Sequence, residues 1–238
     1  MDFSNIGNNI VKLLSQYWKV FLFDGLSNTL LLTLIAVCFG VALGSLVALC
    51  KMSKFWPLRA LISVYIEVIR GTPILLQLYL FYFVIPQMLP FLRLSPFMWV
   101  AIALCINSSA YVSEVIRSGI QAVDKGQTEA ARSLGLSSSQ TMWKIIMPQA
   151  VRNILPALGN EFIMILKETS LASTFFVGDL MTKYLEVKGA TYLGFECLII
   201  VGCIYLLVTF PLSKAVEAFE KKMAGKPTAK KKKLGGAN

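Results

Sequence analysis

The chain has 238 residues, 56% of them hydrophobic and only 15% charged, with a formal net charge of +10 at pH 7 and a mean hydropathy of +0.66. That is too apolar for an ordinary soluble domain. Histidine, CxxC pairs and a GxxxxGK[ST] phosphate loop are all missing, which argues against a metal site, a thiol redox centre or ATP hydrolysis in this chain.

Residues 1–22 read as an external segment. Ile6, Ile10, Leu13, Leu14 and Trp18 recur at helical intervals, as in a short helix that lies in the membrane interface or leads into the first span. Gly25 to Cys50 then supplies 26 residues without a charge, against about 20 needed to cross a bilayer. With no small-residue cleavage site before it, this run reads as a retained span. Five spans are expected, at roughly 23–50, 58–92, 95–118, 152–172 and 191–214, within a transmembrane domain of 23–214. The second would reach about 52 Å if straight, against a hydrocarbon core of about 30 Å. Arg70-Gly71-Thr72-Pro73 is its natural break, with Thr72 as N-cap and Pro73 as first residue of the second half-helix. The fourth carries Arg152, Glu161, Lys167 and Glu168, tolerable only where those charges face protein or a water-filled cavity. A linker with a short helix of its own is expected over 173–190. The five cysteines (38, 50, 105, 197 and 203) all sit in apolar runs and read as small core hydrophobes.

Orientation follows from the basic residues, because cytoplasmic loops carry the excess. Segments after the first run, around residues 117–152 and after the last run hold 16 of the 23 Lys and Arg. With these inside, the N-terminus is external and the C-terminus cytoplasmic. The tail, 215–238, ends in a KKKK run at Lys230 to Lys233. Its plainer account is a solvated basic tail, although such a run also suits anionic lipid. Nucleic acid is a poor explanation for charge placed at membrane edges.

Residues 119–150 form the longest polar loop. Ser137-x-x-Gln140 is a capping-box pattern that starts a helix near Ser138, and Gly135 ends the preceding helix in a left-handed turn. Glu129 suits the positive end of the first helix's dipole. The expected unit is helix, tight elbow, helix, ending at Pro148. Its Glu129-Ala130-Ala131, then Gly135, then Ile145-x-Met147-Pro148, resembles the EAA loop of bacterial ABC-transporter permeases. The segment Ile69 to Pro73 with Gln77, then LCINSSAYVSEVIR over 104–117, Lys125-Gly126-Gln127, Met147 to Ala150 and LKETSLA over 166–172 are similar to permeases for polar amino acids. This is the histidine/glutamate/glutamine/arginine/opine branch, and the similarity covers residues 25–215. Met147 departs from the usual Leu, a volume-conserving change.

The resemblance implies an all-α integral membrane protein of five transmembrane helices with a cytoplasmic EAA coupling loop, the MetI-like fold of type I ABC importers. It implies a non-catalytic subunit in the plasma (inner) membrane of a bacterium. Two copies of a separate ATPase subunit, which holds ATP and Mg, dock on Glu129, Ala130, Ala131, Gly135, Ile145 and Pro148. A second permease, identical or a sister chain, and an external binding protein complete the assembly. No cofactor is expected on this chain.

A zwitterionic substrate needs a site for its carboxylate and an acceptor for its ammonium. Arg70, Thr72 and the helix start after the break suit the carboxylate, with Gln77 close by. The alternative is that Glu67 and Arg70 merely neutralise each other. Asn107, Tyr111, Glu114 and Arg117 share one face of the third span within about 120°, and so do small residues suited to helix packing. Glu161 on the fourth span suits an ammonium or a cationic side chain, which slightly favours a basic amino acid, or else pairs structurally with the sister subunit. Lys167 and Ser170 complete the candidate pathway. Importers of glutamine, glutamate or cystine, and a passive carrier or channel, remain the alternatives.

Overall fold

The architecture is that of a computed structural model, which describes residues 5–223. Helices account for nearly all of it, and no strand occurs among the described residues. A continuous helical stretch runs from α1 (Ile6–Lys19) through a π-helical segment (Val20–Leu26) into α2 (Ser27–Lys51). No proline interrupts it, and the wider π turn absorbs the shift of register between the two faces that must be buried. The amphipathic N-terminal segment is therefore the extension of the first span. It is tethered to the last helix, α11 (Gly194–Met223), by Asn9 Nδ2 donating to the buried Glu196 carboxylate at 2.8 Å. Leu13 packs beside Cys197, Ile200 and Val201 in the same cluster.

The second expected span is broken where the sequence places the break. α3 (Trp56–Gly71) and the helical stretch Ile74–Met88, which comprises α4 (Ile74–Tyr79), a π segment (Leu80–Val84) and α5 (Ile85–Met88), meet at 105°. The third is α6 (Pro96–Gln121), the central helix of the fold, capped by Ser95 Oγ accepting from Met98 N. A loop with α7 (Lys125–Ser133) and α8 (Ser138–Thr141) comes next, then a π segment (Met142–Ile146), α9 (Met147–Glu168), a 3-10 turn (Thr169–Phe175) and α10 (Leu180–Thr191).

Three described helical stretches are long and apolar enough to cross a membrane: Ile6–Lys51, Pro96–Gln121 and Gly194–Met223, and the bent pair, counted as one broken span, brings the number to four. α9 does not pass this test, consistent with its charges. The basic run Lys230 to Lys233 lies outside the described residues.

Small residues set the spacing of the core. Leu32, Ala36, Gly40, Gly44 and Ala48 form a buried stripe of α2 pressed on α6. A methyl group built at Gly40 would collide with Ser108 Oγ, and one at Gly44 would lie 2.7 Å from Val112 Cβ. Gly119 of α6 admits Ile154 of α9, and Gly159 of α9 admits Val216 of α11. Within a bilayer, where apolar burial drives little, such close approach supplies the packing. Cys105 and Cys197 are buried as expected, but Cys38 and Cys203 face outward from their spans, since lipid suits a small hydrophobe as well as protein does.

Gly44→Ala should therefore destabilise the detergent-solubilised protein by about 1–3 kcal/mol through overpacking. Gly202→Ala, at a position with open space around it, should not. Thermal unfolding of the two variants side by side checks this.

Candidate functional site

The break between α3 and α4 is held by side chains. Thr72 is extended, with φ −114° and ψ 145°, as a residue before proline prefers. It does not cap α4: Pro73 occupies that position and Thr72 ends α3. Its hydroxyl instead donates back to Val68 O at 2.8 Å and accepts from Gln77 Nε2 at 2.9 Å. The same Gln77 amide reaches Ile69 O at 2.7 Å and Thr72 O at 3.2 Å. Its Oε1 accepts from Asn107 Nδ2 of α6 at 3.0 Å. Gln77 and Asn107 are both buried, and Asn107 Oδ1 has no partner. The Thr72 hydroxyl and the Gln77 amide thus take up the Val68, Ile69 and Thr72 carbonyls at the end of α3, and Gln77 ties the break to the central helix.

Beside the break a vestibule of about 640 Å³ opens between α3 and the ends of α2 and α6. Arg59, Ser63, Glu67 and Arg70 lie within about 80° of one face of α3, while Tyr65 on another face is bonded to Ile106 O and Ser109 Oγ of α6. Arg70 stacks over the Tyr111 ring at 5.4 Å, and no ion pair among the described residues joins it to Glu67. The mutual neutralisation of those two residues is not what the structure has. Across the vestibule, Arg117 Nε donates to both Glu114 oxygens at 2.8 and 2.9 Å, and its Nη1 to Gln121. Glu114 therefore has the partner a carboxylate at that depth requires. Lys51 Nζ donates to Ser63 Oγ at 2.5 Å.

The other candidate residues lie apart. Glu161 is buried with Oε1 unpartnered, two turns beyond Ile154 on the side of α9 that meets α6. Lys167 and Ser170 line a different cleft, with Met181 and Tyr205, because their positions point away from the Glu161 face. Arg70 and Glu114 therefore share the vestibule, with the Tyr111 ring under the Arg70 guanidinium, Thr72, Gln77 and Asn107 form the network at the break, and Glu161, Lys167 and Ser170 belong to neither. Sequence reasoning did not assign Lys51, Arg59 or Gln121. The helical spacing of Arg59, Ser63, Glu67 and Arg70 was the signal that could have found the α3 side.

The loop has the expected elbow. Gly135 has φ +83°, Gly135 N donates to Arg132 O at 3.0 Å and Leu136 N to Ala131 O at 3.1 Å, the paired bonds of a Schellman turn. The capping box of Ser137 and Gln140 is complete. Two expectations are corrected. Glu129 lies beyond the first turn of α7, whose N-cap is Asp124, accepting from Gly126 N at 2.6 Å. Pro148 does not end the second helix, which continues from α8 through the π segment into α9. Pro148 is tolerated in the first turn of α9, where the i→i+5 bond Met147 N to Met142 O has already widened the helix. Ala131 is buried, Ile145 partly so, and Glu129, Ala130 and Pro148 are exposed. Leu134 and Trp143 stand out from the elbow at 82% and 67% exposure, far more apolar surface than a solvated loop needs.

Residues 40–225 match the family of binding-protein-dependent transport system inner membrane components. The chain is 41% identical over 203 residues to the arginine transport system permease protein ArtQ of Bacillus subtilis (strain 168), covering 85% of this chain and 92% of that one. It is 42% identical over 204 residues to the putative glutamine transport system permease protein GlnP of Rickettsia bellii (strain RML369-C), covering 86% and 93%. Among solved structures, a crystal structure of an amino acid ABC transporter with histidines aligns at a TM-score of 0.84 and 47% identity, over 88% of this chain and 96% of that chain. The fold is the all-helical MetI-like fold of ABC-transporter permeases. The chain belongs to the inner-membrane components of binding-protein-dependent transport systems, and is a multi-pass membrane protein.

Gln77→Leu would strip partners from Ile69 O, Thr72 O and Asn107 at once. A loss of about 1–3 kcal/mol per buried group left unpaired should lower the melting temperature well beyond that of Gln121→Leu at the exposed mouth.

Proposed function

We propose that this chain is the permease subunit of an ATP-driven importer of polar L-amino acids. It pairs with a second permease, identical or a sister chain, stands on two ATPase subunits that hold ATP and Mg, and receives substrate from an external binding protein. The observation that carries this reading is the elbow: two short helices locked by a Schellman turn and a capping box, with Leu134 and Trp143 exposed. A channel has no use for a rigid docking unit of this kind. The elbow lies on the cytoplasmic side, α9 completes the five spans, and the N-terminus is external. Glu129, Ala130, Gly135 and Pro148 belong to the coupling surface, with Ala131 and Ile145 packed behind it.

The vestibule below the broken helix is the route to the cytoplasm, lined by both signs of charge as a zwitterion requires. Arg70 is placed to receive a carboxylate. Glu161, buried on α9 apart from the vestibule with its Oε1 unpartnered, is a separate acceptor on the route for an ammonium or a cationic side chain, which favours a basic amino acid. A second reading rests on the vestibule itself. Lys51, Arg59, Arg70 and Arg117 outnumber Glu67 and Glu114 there, which favours a neutral or acidic side chain such as that of glutamine or glutamate.

Uptake of labelled amino acids into vesicles that hold the chain, its ATPase and the binding protein tests the reading. Gly135→Val, which strains the left-handed position by about 1–2 kcal/mol, should leave the protein inserted and reduce ATP-driven uptake at least tenfold. Equilibration that ignores both ATP and this variant would make the chain a passive carrier. Glu161→Gln should selectively reduce arginine uptake relative to glutamine. Arginine uptake at the unsubstituted level would reverse the preference for basic substrates.

A further inference from the structure

The end of the protein away from the elbow carries strained backbone. α9 leaves the elbow and ends at Glu168, about 33 Å away at 1.5 Å per residue, and α10 follows beyond the 3-10 turn. Among the described residues, two non-glycine positions have a left-handed backbone, Phe176 at φ 51° and Tyr192 at φ 59°. Phe176 ends the 3-10 turn, its N–H donating to Ser173 O, and Tyr192 ends α10, its N–H donating to Lys188 O. Glycine takes such positions without steric cost, yet both residues carry aromatic rings, left outside the core at 68% and 91% exposure. Strain kept for side chains that pack so little points to a use at the surface.

The two rings belong to one groove. Phe176 and Tyr192 line a cleft of about 470 Å³ with Leu185, Glu186, Lys188 and Gly189. α10 turns Leu180, Tyr184 and Val187 into the core shared with α1 and α11, and Gly189 lies about 140–180° around the helix from them. A Cβ built at Gly189 meets no atom within 4 Å, so the groove is open there. Glu186 and Lys188 stand on either side of the line from Leu185 to Gly189. Glu186 is exposed and paired with Lys183 at 2.9 Å. Lys188 is exposed over the Tyr184 ring at 5.7 Å, with no carboxylate partner among the described residues. Lys183, Glu186 and Lys188, so close together in sequence, place α10 outside the hydrocarbon, and the groove opens away from the acyl chains.

We propose that this groove docks the external binding protein, which seats an apolar side chain between the Phe176 and Tyr192 rings and turns a carboxylate towards Lys188. This partner rests on the importer reading above, in which the binding protein meets the face opposite the ATPases. Exposed aromatic rings around an open glycine supply the anchor and pocket of a protein interface, and the opposite charges on the two flanks set the orientation of what binds there.

The test uses the full chain with its ATPase in nanodiscs and a fluorescently labelled binding protein loaded with arginine or glutamine. Binding affinity is read alongside basal ATP hydrolysis and the melting temperature. Gly189→Trp fills the groove where no atom stands and should weaken binding on the order of tenfold or more, with basal hydrolysis unchanged. Tyr192→Gly removes a ring and relieves the left-handed backbone, so it should hold the melting temperature and still weaken binding by a similar factor. Gly7→Trp on α1, equally clear of neighbours, should alter none of the three readouts. Binding at the unsubstituted level in both groove variants overturns the docking site and leaves the importer reading standing. So does a loss of binding that accompanies dissociation of the permease pair, which would give the groove to the second permease. Failure of the unsubstituted transporter to take the binding protein overturns the importer reading and the docking site with it.

Discussion

A helix cannot be broken inside a bilayer unless the carbonyls it frees find new partners, because no water is there to take them. This chain breaks its second span by 105°, and Gln77 makes the break permissible. One amide group serves the end of α3, the Thr72 hydroxyl and, through its oxygen, Asn107 of the central helix. The vestibule exists because of that arrangement. Without the turn at Gly71 to Pro73, α3 would continue into the bilayer and Arg70 would lack the polar setting beside Tyr111. The position of the charges therefore follows from the satisfaction of three backbone and side-chain acceptors, and only secondarily from attraction between the charges.

The second constraint is steric. α6 is gripped by α2 along Gly40 and Gly44 and by α9 at Gly119. Fixing α6 in this way fixes Asn107, Tyr111, Glu114 and Arg117 relative to α3. The outer cluster, in which the N-terminal helix, α10 and α11 meet around Leu13, Leu180 and Cys197, is separate from this grip, and the Asn9–Glu196 bond belongs to it.

What could be read in the sequence was what local chemistry decides. Gly71-Thr72-Pro73 announces a break, and Gly135 followed by Ser137-x-x-Gln140 announces an elbow, because backbone conformation at those residues depends on their own side chains. The stripe of Asn107, Tyr111 and Glu114 was legible by periodicity. What escaped depended on neighbours far along the chain. Thr72 looks like an N-cap but gives its hydroxyl to Val68 and Gln77. Lys167 and Ser170 line a cleft with Met181 and Tyr205, neighbours that helical periodicity alone does not supply. Proline at 148 reads as a helix end, and only the π turn before it lets the helix pass.

The uninterrupted passage at Pro148 bears on how the two ends of the molecule communicate. From Ser138 to Glu168 the chain is unbroken helix, about 46 Å long at 1.5 Å per residue, with the elbow at one end and Glu161 in its far half. No loop interrupts the chain between Ser138 and Glu161. It carries two irregularities, the π segment at Met142–Ile146 and the buried Pro156, both of kinds at which helices bend. Both lie between the elbow and Glu161, while α6 beside them is packed on α2 through glycine contacts. The two proline positions differ in consequence: Pro148 lies at the edge of the π turn, where the backbone is already widened, whereas Pro156 leaves the Arg152 carbonyl without its usual helical donor. The proline thus weakens the hydrogen-bond ladder of α9 five residues before the buried Glu161.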